Sequence, residues 1–155
     1  LSSFSEQIMK FLMLGFIPAS TNPALLLLRV ALSLQMLVAH GWGKLSAFSD
    51  LKAKFPDPLG VGSSTSLALA VAGEVLCPCL LVLGLFSRLA AVGATITMAV
   101  AFFAVHRGKL IGDGNGELAF LYLIGFMVLV LAGPGRFAMD SGIGSGAQKA
   151  AGTNS

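Results

Sequence analysis

An all-α, four-helix transmembrane bundle with an N-terminal interfacial segment is the fold this sequence predicts, and three observations predict it. Of 155 residues, 55% are hydrophobic and only 11% charged, with a mean hydropathy of +0.86; a soluble domain carries about 25% charged residues. The apolar residues gather in four runs of about the length a bilayer-spanning helix needs, roughly 20 residues. Stretches rich in Gly, Pro, Ser, Asp and Asn separate most of these runs. The length accommodates this one bundle and no separate soluble domain.

Residues 1–22 form the interfacial segment: apolar and polar side chains alternate around Met9 to Phe16, as in a helix lying in the headgroup layer. Residues 1–20 lack a compact apolar core and an A-x-A cleavage site, so they do not read as a signal peptide. The bundle follows over residues 23–140. Its first span runs from Pro23 to about Leu45 and carries Arg29, Gln35, His40 and Lys44. The second, Ser66 to Phe86, is interrupted only by Glu74. Leu89 to His106 and Glu117 to Gly133 are shorter and nearly free of charge, and the Gly-rich residues Gly108 to Gly116 part them. The longest connection, Ser46 to Thr65, holds Pro56, Pro58 and four charges, which predicts a loop with a short interfacial turn. Residues 141–155 are rich in Gly, Ala and Ser and read as a flexible tail.

Four spans place both ends of the bundle on one side, here side A, and the first and third loops on side B. Side A collects Lys10, Arg88, Arg136 and Lys149; side B collects Lys44, Lys52, Lys54, Arg107 and Lys109. Lys/Arg bias sets orientation in membranes, and this near balance sets none. A net charge of +3 with singly scattered basic residues excludes a nucleic-acid interface. Cys77 and Cys79 match neither a disulfide framework nor the ligand sets of a zinc site. Two residues apart on a helix, they point about 200° away from each other. No metal site is expected.

Ionisable groups inside spans cost roughly 2.5–3.5 kcal/mol each at the bilayer centre, so each needs a partner, a cavity or a role. On a regular helix Arg29, Ser33, Met36, His40 and Lys44 fall within roughly 60° of one another and form an inward polar stripe. At a rise of about 1.5 Å per residue from side B, His40 lies about 8 Å down, Glu74 about 12 Å and Arg29 about 24 Å. Glu74 is therefore closer in height to His40 than to Arg29. With His106 and Glu117 near the rim, the expected cluster is His40, Lys44, Glu74, His106 and Glu117, opening toward side B. Pro78 removes the N–H that would bond the Glu74 carbonyl. Arg29 either approaches that carbonyl from below or snorkels toward side A.

Leu28-Arg29, His40-Gly41 with Lys44, Glu74, Gly84-Leu85 with Arg88, then His106, Glu117, Gly133-Pro134-Gly135 and Asp140 form an ordered set. In that order and spacing, over about residues 24–140, the chain closely resembles the DoxX family of bacterial and archaeal membrane proteins. The C-P-C insertion departs from the usual Gly-rich run after the glutamate. The resemblance implies a four-helix, multi-pass protein of the cell inner membrane. Named members act as a membrane subunit of thiosulfate:quinone oxidoreductase or in a mycobacterial oxidoreductase complex. It implies Arg29, His40, Lys44, Glu74, His106 and Glu117 as the polar, cofactor-facing positions.

Two functions are then expected to compete. In the first, the chain is a membrane subunit of a quinone-linked oxidoreductase system, with His40 and Glu74 as the catalytic pair that hydrogen-bonds a quinone headgroup and exchanges protons. No flavin, haem or iron–sulfur motif is visible, so electrons come from an oxidoreductase partner subunit or a small reductant. In the second, it is a non-catalytic accessory or assembly subunit of a larger membrane protein complex, its buried charges fixing helix register.

Overall fold

A computed structural model describes residues 20–141 together with Gln7, Met9, Phe11 and Leu12. The expected interfacial segment, residues 1–22, lies mostly outside the described residues, with Thr21 and Asn22 already in the first helix, and of the tail, residues 141–155, only Ser141 is described. Among the described residues, α1 (Thr21–Ser46), α3 (Ser63–Leu83) and α4 (Ser87–Val105) are long and apolar enough to cross a membrane. A shorter apolar helix, α5 (Glu117–Ala132), completes the bundle, and the one-turn α2 (Phe48–Leu51) sits in the side B loop. At 16 residues α5 is about 24 Å long, short of a hydrocarbon core of roughly 30 Å.

The second span starts and ends three residues earlier than the sequence predicts, because Gly84 stops it. With φ +73°, Gly84 takes the left-handed conformation that caps helices. Its N–H donates to the Leu81 carbonyl at 3.1 Å, and the Leu85 N–H donates to the Leu80 carbonyl at 3.0 Å. A β-carbon there would also strike the Arg29 guanidinium.

Each long helix contains one π-helical turn: Leu37–Gly41 in α1, Ala72–Leu76 in α3 and Val100–Val105 in α4. Such turns add a residue and shift every later side chain around the axis. In α3 the turn directly precedes Cys77 and Pro78, where the ring has no N–H to continue the ladder.

Side chains of Ala90, Ala91, Ala94 and Met98 on α4 are buried with Tyr122, Leu123, Phe126 and Leu129 on α5 in the core, joined by Leu25, Met36 and Leu81. Small residues on α4 let the helices approach closely, the means by which helices associate where lipid supplies no hydrophobic drive. The outside is apolar as well: Leu27, Val38, Leu89 and Leu131 are each more than 70% exposed. Water would penalise that surface, and lipid does not.

At side A the chain after α5 is stitched back onto the bundle. The Arg136 N–H donates to Asn22 Oδ1 at 3.0 Å, and the Asp140 N–H donates to the Gly84 carbonyl at 3.0 Å. Asp140 in turn accepts from the Phe86 and Ser87 N–H groups at 2.8 and 2.7 Å, capping the start of α4.

Candidate ligand site between α3 and α4

The π turn in α1 redirects the polar stripe. Arg29, Ser33 and Met36 are buried as a regular helix requires, but the next buried position is Gly41 rather than His40. Lys44 follows three residues later on the same inward face. The extra residue carries His40 toward α5, where its ring meets Tyr122 edge-on with centroids 5.7 Å apart.

Gly41 packs against the backbone of Glu74, the residue whose carbonyl Pro78 leaves without its α-helical donor. An added β-carbon would collide with the Glu74 carbonyl oxygen and lie 2.8 Å from Val75 Cγ2. This contact fixes the height of α3 against α1, and Lys44 reaches back one turn to the carboxylate. Lys44 Nζ donates to Glu74 Oε2 at 2.5 Å, with the Glu74 side chain only 8% exposed and that of Lys44 25%. Of the residues expected to cluster with Glu74, the structure pairs it with Lys44 and not with His40, the long lysine stem making up the difference in depth.

This ion pair faces a cavity of about 540 Å³ between α3 and α4. Most of its wall is apolar, supplied by Leu69, Ala70, Ile96, Val100 and their neighbours, and the loop residues Phe55 and Leu59 close its side B end. Gly73 and Thr97 form the tight crossing behind it: a β-carbon on Gly73 would run into the Thr97 hydroxyl, which donates to the Gly93 carbonyl at 3.0 Å. His106 stands at the rim. Its Nδ1 is 3.0 Å from the Gly114 carbonyl oxygen, a group that only accepts, so Nδ1 is the donor.

Of the six expected positions, Lys44, Glu74 and His106 line the cavity, while His40, Glu117 and Arg29 do not. Glu117 is exposed at the start of α5, its N–H donating to Asn115 Oδ1 at 3.2 Å. Arg29 is 1% exposed and makes no hydrogen bond to the Glu74 carbonyl; it extends toward side A, the second of its expected destinations, but ends buried under the segment after α5. It donates from Nη2 to the Phe137 carbonyl at 3.2 Å, and its charge is felt by Asp140, so it helps hold the side A segment in place.

The sequence model of the DoxX family matches residues 24–107, more than half of the chain. The chain belongs to the DoxX family. Two uncharacterized proteins of Haemophilus influenzae strain Rd are similar to it. One is 36% identical over 118 residues, covering 68% of this chain and 81% of its own length. The other is 25% identical over 123 residues, covering 76% and 82%. No solved structure matches.

As a DoxX protein with three spanning helices and a shorter apolar one, the chain is an integral membrane protein whose surroundings are lipid. The matched stretch contains every cavity-lining residue, from Lys44 to His106. Cys77 also lines the cavity, one turn past Glu74, whereas Cys79 does not, and both are free thiols. Sequence reasoning overlooked Cys77, Thr97 and the Phe55–Leu59 roof as wall residues. The signals were present in the spacing Glu74 to Cys77 and in the Pro-rich apolar loop.

Proposed function

We propose that this DoxX protein is the membrane subunit of a quinone-linked oxidoreductase system in the cell inner membrane, and that a quinone headgroup binds against Lys44 and Glu74. The observation that carries this reading is an ion pair in a mostly apolar cavity. Its volume, about 540 Å³, falls within the roughly 300–1,000 Å³ of small-molecule sites. Lys44 and Glu74 neutralise each other, which favours an uncharged headgroup with acceptor oxygens over an anion. Lys44 Nζ has three N–H donors and spends one on Glu74 Oε2. The others are available to a ring carbonyl.

A quinone bound there supplies two-electron, two-proton chemistry. The chain contributes the proton handling: Lys44 Nζ presents a proton to the ring oxygen, and Glu74 Oε2 is the adjoining base that accepts or returns one. His106 lines the same cavity at its rim, where an imidazole can exchange protons with the surroundings. The apolar walls exclude water from the pair and strengthen its hydrogen bonds. A helical architecture supports placement in the inner membrane, since outer-membrane proteins are typically β-barrels. Electrons come from a partner subunit or a small reductant, because no flavin, haem or iron–sulfur motif is present in the sequence.

Mass spectrometry of organic extracts from gently purified wild type, Glu74→Gln and Lys44→Met tests the reading. It expects near-stoichiometric quinone in wild type and loss of quinone in both variants. Background quinone in all three, alongside a constant larger partner, would assign an accessory role instead.

A further inference from the structure

Resting on that reading for the identity of its ligand, we infer that the site is loaded sideways from the bilayer. The portal lies between α3 and α4, its lips are Leu69 and Ile96, and its ligand is a lipid-dissolved molecule whose tail stays in the hydrocarbon. Both residues line the cavity, yet they are 53% and 58% exposed on the outer face of the bundle. They lie on the boundary between cavity and surroundings, as does Leu59 of the side B loop, 54% exposed.

Depth decides what those surroundings are. Leu69 lies six residues into α3 and Ile96 nine residues before the end of α4, placing them about 9 and 14 Å from the side B ends of their helices. A hydrocarbon core is roughly 30 Å thick, so the lips face acyl chains. Behind them the wall is made of small side chains, Ala70, Ala72, Gly73 and Ala101, leaving a smooth path to the ion pair.

The alternative path, from water on side B, is roofed. Phe55, Pro56, Pro58 and Leu59 cover that end, and Asp57 clamps the roof to α3. Its carboxylate accepts from the Val61 N–H at 3.0 Å, the Gly62 N–H at 2.7 Å and the Ser66 hydroxyl at 2.7 Å. The flanking prolines fix φ on either side. Crossing the roof means breaking this clamp, whereas crossing the portal needs only rotamer changes in two aliphatic side chains.

Cys77 supplies a reporter at the inner end of the cavity. The test uses full-length Cys79→Ser protein in lipid vesicles and two maleimides, one lipid-soluble and one sulfonated and membrane-impermeant. A sulfonate is excluded from hydrocarbon as other charges are, so the lipid-soluble reagent should alkylate Cys77 more than about tenfold faster. Leu69→Trp/Ile96→Trp should slow that reaction severalfold and leave the sulfonated reagent's rate unchanged, and the milder Leu69→Phe/Ile96→Phe should fall between. Equal rates for the two reagents in the unplugged protein would overturn the portal whether or not the plugged variants fold. So would a lipid-soluble rate that folded plugged variants do not change. A long-tailed quinone is the second probe. Protection of Cys77 in the unplugged protein and its loss on plugging support both readings. Absence of protection with the reagent pattern intact removes the quinone and keeps the portal. Protection that survives plugging keeps the quinone and removes the portal.

Discussion

Gly41 and Glu74 meet backbone to backbone where α1 crosses α3, with room for no side chain between them. The contact lies beside the Lys44–Glu74 pair, so the steric requirement and the polar site share one crossing.

Gly41→Ala is expected to cost about 1–3 kcal/mol, the range for overpacking a filled interior, because the obstructing atoms are backbone. Gly43 has open space around its α-carbon, so Gly43→Ala should stay within about 0.5 kcal/mol of wild type. Thermal unfolding in detergent of both variants checks the contrast; equal losses would mean that the crossing is looser than described.

Removing one member of the Lys44–Glu74 pair leaves the other charge buried without a counterion. Glu74→Gln and Lys44→Met should each destabilise by on the order of 2–4 kcal/mol, and the double variant by less than the sum. A double-mutant cycle by chemical denaturation measures the coupling. Additive losses would show that the pair does not act as a unit.

Two carboxylates should make the protein acid-sensitive. Hydrogen bonds from the Ser66 hydroxyl and then the Gly62 N–H hold the Asp57 carboxyl below its usual 3.8. For Asp140, burial pushes the carboxyl upward, but the Ser87 and Phe86 N–H groups and the Arg29 charge outweigh it, and the net direction is down. A depressed folded value means a contribution that is complete above the ordinary value and lost as pH falls through the folded one. Stability should therefore drop below about pH 4, with hydrogen exchange rising first at residues 55–62 and 84–88. Asp57→Asn and Asp140→Asn should each abolish the acid response of their own segment, and an unchanged response in either variant would count against its clamp.

Arg29→Met removes the donor to the Phe137 carbonyl and the charge facing Asp140. A loss of about 1–3 kcal/mol is expected, accompanied by proteolytic sensitivity after α5. The rate of Cys77 alkylation should not change, because Arg29 works at the side A end.

His40→Ala should leave both Cys77 alkylation and quinone content at wild-type levels, since His40 faces Tyr122. Reduced quinone in this variant would mean that the headgroup site extends toward α5.

The four helices were legible because composition and run length report the solvent, and a bilayer imposes one periodicity. The proximity of Lys44 and Glu74 was legible because charge inside a span demands a partner, and that of His106 because it ends the third span on the same side as Lys44. The placement of His40 was not, since a π turn between Met36 and Trp42 leaves no local signature that separates it from a regular helix. The fate of Arg29 was hidden for a different reason: its partner carbonyl belongs to Phe137, more than a hundred residues away. Depth estimated from Cα positions put Glu74 near the His40–Gly41 turn, where the Gly41 contact has it; that its partner is Lys44 depends on a side-chain stem long enough to span a turn.

Photoaffinity mapping tests the central claim most directly. A photoreactive quinone, irradiated with the protein in membranes and followed by peptide mass spectrometry, should label segments 55–77 and 93–106 and be displaced by unlabelled long-tailed quinone. Glu74→Gln should lose that labelling. Adducts confined to residues 24–40 or 118–132, or undiminished by competitor, would contradict a headgroup site at Lys44 and Glu74.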